Sequence, residues 1–239
     1  MALYVFTDLD DTLFQTLGKC PADATLYTAA VDRQGQPLSF ATPAQQRLLA
    51  WLEHGVVVPV TGRNSAALAR VRLSFPSFRI TSHGAMVSEP DGSPDEHWLA
   101  ALETTLGPWQ SRLAEVLEQL EEHRQRHGLQ LRCRIIEDQG LPCYLSVKGE
   151  AAALADMESV VGELWEPSLI HRNGENMALL PAFASKARAV AFVLERLAQT
   201  GIRPLSIGIG DSLTDLAFMQ RCDYAMIPRR SQIQERLWS

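Results

Sequence analysis

Three short, mostly apolar runs of this chain each end in a group of polar residues. The runs are "ALYVFT", "VVVPV" and "PLSIGIG", and patterns typical of helices separate them along the chain. Strands that alternate with helices indicate a doubly wound α/β fold with a mainly parallel sheet. Ligands of such sheets bind at the carboxyl ends of the strands. Asp8, Thr61 and Asp211, which follow the three runs, are therefore predicted to converge.

The chain between residues 85 and 182 follows a different pattern. It predicts a helix near Pro108–His127, two strands, a second helix, and a hairpin that turns at Asn173-Gly174. This order is typical of an α+β unit with mostly antiparallel pairing. We therefore expect a core formed by residues 1–84 and 183–239, into which residues 85–182 are inserted as a cap domain.

Local signals refine the first half of the core. Residues 26–40 predict a β-hairpin that forms a flap over the end of the first strand. Thr42, Pro43 and Gln45 form the signature of a helix start, a capping box with proline at the first helical position. Pro59 lies in a predicted strand. Because proline removes a hydrogen-bond donor from the sheet, we expect a bulge or an early strand end there.

The composition argues against some classes of partner. With a net charge of −6 at pH 7, the chain lacks the basic surface that nucleic acid or an anionic membrane requires. No apolar run approaches the roughly 18 residues of a membrane-spanning helix, and no basic segment of a signal peptide precedes the first strand. The cysteines form no C-x-x-C pair, so we expect reduced thiols in a cytoplasmic protein, with a Cys133–Cys143 bridge as the alternative.

Each polar group has an ordinary structural explanation when it is taken alone. "DLDDT" is compatible with a turn held by aspartate side chains, and "TGR" with a plain loop between strand and helix. Ser212 and Asp215 fit a helix capping box, which leaves Asp211 unexplained. Lys186 lies in the first turn of a predicted helix, where the helix dipole disfavours a cation. Such a departure from a local rule is typical of a functional residue.

Taken together, the polar groups indicate a metal site. The strand ends would bring four carboxylates into one crevice, those of Asp8, Asp10, Asp211 and Asp215. Carboxylates in a small volume repel one another unless a cation compensates them. Mg²⁺ binds one or two carboxylates together with water and phosphate oxygens. Lys186 and Thr61 would stabilise a phosphoryl group during transfer, and a carboxylate can itself attack phosphorus.

These motifs also occur in a known order. "DLDDT", "VTGR", the helix-borne Lys186 and "GDSLTD" resemble the four motifs of the haloacid dehalogenase (HAD) superfamily of phosphohydrolases. The insert resembles the large α/β cap of Cof-like and sucrose-phosphatase-like members. The resemblance implies that Asp8 is the nucleophile and Asp10 the general acid and base, with Thr61 and Lys186 as further catalytic residues.

The resemblance also implies a set of metal ligands. Mg²⁺ would be held by the carboxylates of Asp8 and Asp211 and the backbone carbonyl of Asp10, with Asp215 in support. The chain departs from the family pattern after the third strand, where capped relatives often have "SNGA" and this chain has "SHGA". The histidine of this motif, His83, either contacts substrate or packs in the core.

The implied activity is that of a magnesium-dependent phosphomonoester hydrolase. Its substrate would be a small phosphorylated metabolite, such as a sugar phosphate or a similar polyol, and the reaction would pass through an aspartyl phosphate. A sugar phosphomutase of the same superfamily is the alternative, because the motifs do not distinguish the two outcomes. A phospho-aspartyl switch similar to a receiver domain fits less well, because receivers are shorter and carry the phosphoacceptor on their third strand.

Substrate specificity is expected to reside in the cap, because the phosphoryl group and the metal occupy the core motifs. Alternation along "LQLRCRII" places Arg132 and Arg134 on one face of a strand. We expect these arginines, together with Gly62 and Arg63 of the core, to bind the substrate. The alternative is that the cations of the cap, which also include Lys148, His171 and Arg172, form a solvated sheet face.

A second possible metal site lies in the cap. His123 and His127 are four residues apart on the predicted helix, a spacing that allows two imidazoles to bind one ion. Because they lie within "EEHRQRH", the sequence favours a solvated, charged helix face instead.

Overall fold

The computed structural model describes residues 2–166, 169–199, 201 and 203–237. The chain divides into two compact units, Met1–Asp95 with Lys186–Ser239, and Glu96–Ser185. Both boundaries lie later in the chain than the sequence predicted. The first is shifted because residues 86–88 pair as a strand with residues 79–81 and so stay with the first unit.

The helices and strands alternate along the chain. The segment before the insert contains β1 (Leu3–Thr7), β2 (Gln15–Thr16), β3 (Tyr27–Val31), β4 (Pro37–Ala41), α1 (Pro43–Leu52), β5 (Val56–Pro59), α2 (Ser65–Leu68), β6 (Arg79–Thr81) and β7 (Met86–Ser88). The second unit contains α3 (Glu96–Arg126), β8 (Leu131–Asp138), β9 (Leu141–Gly149), α4 (Ala151–Leu164), β10 (Ile170–Asn173) and β11 (Asn176–Leu179). The last segment contains α5 (Lys186–Ala198), β12 (Leu205–Ile209), α6 (Leu216–Met219), β13 (Tyr224–Met226) and α7 (Gln232–Leu237).

A four-stranded parallel sheet forms the centre of the first unit, in the order β13-β12-β1-β5. On one face Leu52 of α1 and Leu68 of α2 pack in a buried cluster with Val5 of β1. α6 lies against the other face, so close that a Cβ atom on Gly208 would come within 2.8 Å of the Cα atom of Met219. Helices on both faces of a parallel sheet confirm the predicted doubly wound α/β fold.

β5 ends at Pro59, as the sequence predicted. Val60 donates its N–H to the carbonyl of Thr7 on β1, at 2.8 Å. Because the backbone nitrogens of a strand point alternately toward its two neighbours, the nitrogen of Pro59 points away from β1. On that side β6 meets this segment at an isolated bridge between Val60 and Ile80. The proline therefore removes no hydrogen bond between β5 and β1.

The hairpin and the first helix follow the local signals of the sequence. β3 and β4 pair antiparallel, and β2 adds a third strand in the order β2-β4-β3. Asp32 holds the turn, because its Oδ1 accepts hydrogen bonds from the N–H groups of Gln34 and Gln36, both at 2.8 Å. Thr42 caps α1 in the predicted capping box with Gln45, which is confirmed.

The second unit is an antiparallel sheet in the order β10-β11-β9-β8. α3 and α4 cover one face, where Leu113 and Val161 are buried together with Val147 of β9. The other face carries Arg132 and Arg134, whose strand partners are Lys148 and Ser146. The hairpin between β10 and β11 was predicted correctly; Asn173 pairs with Asn176, so the turn itself is Gly174-Glu175.

The start of α3 was predicted wrongly. The helix begins at Glu96, and Pro108, which the sequence suggested as its first turn, lies in its interior. Proline favours the first turn because it lacks the N–H that binds the carbonyl four residues earlier. The helix nevertheless continues through it, and just beyond it the Trp109 ring packs on Trp165 with centroids 5.3 Å apart. Among the described residues no helix is long and apolar enough to cross a membrane.

Candidate active site

The carboxyl ends of the central strands bring the polar motifs together in the first unit. Asp8 directly follows β1, and its N–H donates to the carbonyl of Ile209, the last residue of β12, at 2.8 Å. Asp211 follows the end of β12 by two residues. On the other side of β1, the N–H of Thr61 donates to the carbonyl of Ile80, at 3.0 Å.

Three aspartates of this edge form one buried cluster. Oxygen atoms of Asp8, Asp211 and Asp215 all lie within 4.8 Å of one another. The hydroxyl of Thr12 lies 3.3 Å from both Asp8 Oδ2 and Asp211 Oδ1. Thr12, which is almost fully buried, links the first and last motifs and was missed in the sequence. Its only signal is its place four residues after Asp8 in "DLDDT".

Lys186 supplies the positive charge of this cluster. Its Nζ lies 2.7 Å from Asp8 Oδ1 and 2.7 Å from Asp215 Oδ1. Lys186 is the first residue of α5, where the helix dipole disfavours a cation. The two ion pairs account for this unusual position.

Asp215 holds two neighbours at once. Its Oδ2 accepts hydrogen bonds from the N–H and the hydroxyl of Ser212, at 3.1 and 2.8 Å, while its Oδ1 binds Lys186. The capping box suggested by the sequence is therefore present, and the same carboxylate also reaches the cluster. Gly210 is required beside it, because a Cβ atom there would lie 2.5 Å from the Cβ of Asp215.

The acids of the cluster outnumber the lysine beside them, and their pKa values reflect this. Burial raises the pKa of Asp8 well above its usual value, and the charges of Asp215 and Asp211 add to this effect while Lys186 opposes it. Burial, Asp215 and Asp11 raise the pKa of Asp211 to about 7. For Asp215, burial is outweighed by Lys186 and Ser212, which hold its pKa below the usual value. A divalent cation among these oxygens would restore the charged forms of Asp8 and Asp211.

Asp10 is held by Arg63 of the second motif. Arg63 donates from Nε to Asp10 Oδ2 and from Nη2 to Asp10 Oδ1, both at 2.7 Å, and from Nη2 to the hydroxyl of Ser39 at 3.2 Å. Its guanidinium also lies over the ring of Phe14, 5.1 Å from the centroid. The structure thus places Arg63, an expected substrate ligand, on the expected acid–base residue. Ser39 had no sequence signal, because it reaches this site from β4 of the hairpin.

Thr61 and Gly62 are fixed by the loop around them. The Thr61 hydroxyl accepts a hydrogen bond from the N–H of Arg63, at 3.1 Å, and Thr61 is almost fully buried. Gly62 lies against the ring of His83, since a Cβ atom at residue 62 would come 2.5 Å from His83 Nε2. His83 itself has a left-handed backbone with φ 57°, between Ser82 at 50° and Gly84 at 89°. Its imidazole therefore packs on the second motif.

The expected substrate ligands of the cap belong to the second unit. Arg132, Arg134 and Lys148 are exposed on one face of its sheet. Arg172 is on the opposite face, where its guanidinium pairs with Glu158 of α4. It therefore does not belong with the other cations. The Cys133–Cys143 bridge is not formed, since neither cysteine is in a disulfide bond.

Comparison with known proteins agrees with this geometry. The family model described as sucrose-6F-phosphate phosphohydrolase matches residues 2–234. No curated protein sequence matches the chain significantly. Three similar solved structures are all below 25% identical to this chain, so their similarity shows a shared fold.

A haloacid dehalogenase-like hydrolase from Bacteroides thetaiotaomicron has a TM-score of 0.52 at 14% identity, covering 99% of this chain and 100% of its own. A trehalose-6-phosphate phosphatase related protein has a TM-score of 0.53 at 17% identity, covering 98% and 94%. The C-terminal domain of C. albicans trehalose-6-phosphate phosphatase has a TM-score of 0.55 at 13% identity, covering 92% and 73%. Because the family model spans nearly the whole sequence, the chain belongs to the sucrose-6F-phosphate phosphohydrolase family of the HAD superfamily and is a phosphatase of phosphoric monoesters.

Proposed function

We propose that the protein is a magnesium-dependent phosphatase that hydrolyses a sugar phosphate through an aspartyl phosphate on Asp8. The observation that carries this proposal is the buried cluster in which Lys186 binds both Asp8 and Asp215, each at 2.7 Å. A carboxylate that attacks phosphorus needs a neighbouring cation, which stabilises the negative charge on the phosphoryl oxygens. The cluster provides that pairing at the end of the central strand.

The donor set fits magnesium. The candidate ligands are all oxygen atoms, which hard divalent cations prefer, and Mg²⁺ demands few of them from the protein. Asp8 and Asp211 would hold the ion with the backbone carbonyl of Asp10, while Asp215 supports the site through Lys186 and Ser212. The raised pKa values of Asp8 and Asp211 support a cation there, because burial and mutual repulsion leave them short of positive charge. When bound, Mg²⁺ would neutralise phosphate oxygens and orient them.

The protein's own residues would carry both chemical steps. In the first, a carboxylate oxygen of Asp8 attacks phosphorus, the ester P–O bond breaks, and Asp10 gives its proton to the leaving sugar oxygen. In the second, Asp10 takes a proton from a water molecule whose oxygen attacks phosphorus. The bond between phosphorus and the Asp8 oxygen breaks, so inorganic phosphate leaves and the Asp8 carboxylate is restored. Lys186 would steady the charge on the phosphoryl oxygens, and the loop at Thr61 would hold them from the other side.

The contact between Arg63 and Asp10 bears on these steps. Arg63 engages both oxygens of the Asp10 carboxylate, so neither oxygen is free to pass a proton to the leaving sugar oxygen. The first step needs Asp10 protonated. We therefore expect Arg63 to loosen its hold when the phosphorylated substrate binds.

The substrate class is supported by the names of similar proteins and by the cap sheet. The matching family is described by its action on a sucrose phosphate, and two similar structures by trehalose-6-phosphate phosphatase. The exposed Arg132, Arg134 and Lys148 offer hydrogen-bond donors to the hydroxyl groups of a sugar. A cytoplasmic location is part of the proposal, and the four cysteines, none of which is in a disulfide bond, are compatible with it.

The test is a screen of phosphorylated sugars with the wild type and Asp8→Asn. We expect release of inorganic phosphate from at least one disaccharide or hexose phosphate, and a loss of about a thousandfold or more in Asp8→Asn, because the nucleophile is removed. Circular dichroism of the variant provides the folding control. Isomerisation of a hexose phosphate without phosphate release would indicate a mutase instead. Full turnover by a folded Asp8→Asn variant would overturn the mechanism.

A further inference from the structure

Two histidines and an aspartate lie together on the side of the second unit that its helices cover. In the sequence, none of them is near a residue of the proposed catalytic cluster. His123 lies on α3, and His127 follows the end of that helix by one residue. The N–H of His127 donates to the carbonyl of His123 at 3.0 Å, so the helical spacing continues to it. Asp156 comes from α4. One ligand atom from each residue lies within 4.8 Å of the other two.

The two imidazole rings are stacked on one another. Their ring centroids are 4.2 Å apart and their planes differ by 21°. Two histidines four residues apart on a helix direct their rings to the same side, which is the arrangement in which both can bind one ion. Asp156 places a carboxylate beside the two imidazoles.

His123 points a buried nitrogen at Asp156 without a hydrogen bond. Nε2 of His123 has no hydrogen-bond partner among the described residues, although the atom is inaccessible to solvent. It lies 3.5 Å from Asp156 Oδ2, longer than the usual range of about 2.7–3.2 Å for an N–H···O bond. Two ligands bound to Zn²⁺ at about 2.0–2.1 Å, at a tetrahedral angle, are separated by about 3.4 Å. The observed separation matches the edge of a zinc site better than a hydrogen bond.

We propose that His123, His127 and Asp156 form a binding site for Zn²⁺ or a similar transition-metal ion. Two imidazoles and one carboxylate suit borderline ions such as Zn²⁺, Co²⁺ and Ni²⁺, whereas Mg²⁺ prefers oxygen ligands alone. Water would complete the coordination on the exposed side, since His127 and Asp156 are both exposed. A bound ion would tie the end of α3 to α4, the two helices that cover one face of this sheet.

The site is tested by binding of Co²⁺ and Zn²⁺ to the full-length protein, free of any affinity tag and in saturating Mg²⁺. Co²⁺ bound to histidine in a four-coordinate site absorbs visible light far more strongly than Co²⁺ in an octahedral all-oxygen site, so absorbance separates this site from the acid cluster. The variants are His127→Gln and Asp156→Asn, both at exposed positions. The matched controls are His54→Gln and Glu163→Gln. His54 is an exposed histidine two residues after the end of α1, and Glu163 is an exposed acid of α4.

We expect the wild type and both controls to bind one Co²⁺ with strong visible absorbance that Zn²⁺ abolishes by competition. His127→Gln and Asp156→Asn should lose that absorbance and bind Zn²⁺ at least about tenfold more weakly, because each removes one of three protein ligands. Zn²⁺ should also raise the melting temperature of the wild type and the controls but not of the two site variants. Absence of the absorbance in the wild type, or equal binding by all five proteins, would overturn the proposal.

Discussion

Charged side chains are used in opposite ways in the two units. In the first unit Asp8 and Asp215 are buried, the side chain of Lys186 is only 10% exposed, and both carboxylates lie 2.7 Å from its ammonium group. In the second unit Arg132 and Arg134 are exposed on a sheet face. Buried charges depend on one another, because an unpaired charge in the interior is costly. Exposed charges are hydrated and can be exchanged at little cost.

The two units are therefore suited to different tasks, the first to catalysis and the second to recognition of the substrate. Residues of the buried cluster cannot be substituted one at a time without cost. The cluster therefore suits the phosphoryl-transfer step, which is the same for every substrate of a phosphatase. The exposed sheet face tolerates single substitutions, so it suits recognition of the group that differs between substrates. We therefore expect substitutions in the cluster to act on kcat and stability, and substitutions on the sheet face to act on KM.

Among the tests of this contrast between the units, the largest effect is expected from loss of the metal. Removing Mg²⁺ with a chelator, or replacing Asp211 by Ala, should lower kcat by about a hundredfold or more, because the ion's ligands and charge are lost. Ca²⁺ should substitute poorly, since it is larger and takes more ligands. Activity is measured as phosphate release against Mg²⁺ concentration, with re-addition of Mg²⁺ to the chelated wild type as the control. Full activity in excess chelator would show that the cluster does not hold a required ion.

The second effect concerns stability. Lys186→Met leaves two buried carboxylates without their ammonium partner, and we expect it to lower the free energy of unfolding by about 3–5 kcal/mol. The matched control is Arg172→Met, which breaks the exposed pair with Glu158 of the second unit and should cost no more than about 1 kcal/mol. Urea unfolding in the presence of chelator measures both, so that no cation replaces the missing charge. Equal costs for the two variants would contradict the contrast between the units.

The smallest effect is expected on the sheet face. Arg132→Ala or Arg134→Ala should raise KM for the best sugar phosphate by about tenfold, because a charge-assisted hydrogen bond is lost. Neither should alter the turnover of a small aryl phosphate, which lacks the sugar hydroxyl groups. Arg172→Ala on the opposite face is the control and should change neither. If the arginine variants behave like this control, the cations are only a solvated surface.

The sequence predicted the parts of the site that follow from strand topology. Asp8 and Asp211 could be placed together because both follow parallel strands, whose carboxyl ends meet at one edge. Lys186 was marked by its conflict with the helix dipole, a local rule that the ion pairs override. The capping box of Ser212 and Asp215 was visible in the residues themselves.

The remaining features depend on contacts between distant segments. The contacts of Arg63 with Asp10 and Ser39 join three segments that are separate in the sequence, and no local pattern marks them. The same is true of Asp156, without which His123 and His127 were only two histidines on a charged helix. The start of α3 was missed for a different reason: Pro108 is a strong local signal for a helix start, and packing further along the helix overrides it.

The first unit is formed by two segments of the chain, one before and one after the insert. This arrangement affects the order in which the parts of the protein fold. Asp8 and Lys186 are 178 residues apart in the chain, whereas β8 and β9 of the insert are joined by a tight turn. Contacts between near neighbours form faster than contacts that close long loops. We expect β9 to gain protection before β1 in pulse-labelled hydrogen exchange during refolding; simultaneous protection would contradict this order. During synthesis, the segment that carries Asp8 would leave the ribosome long before its ammonium partner, and the enzyme would become active only as its last strands dock.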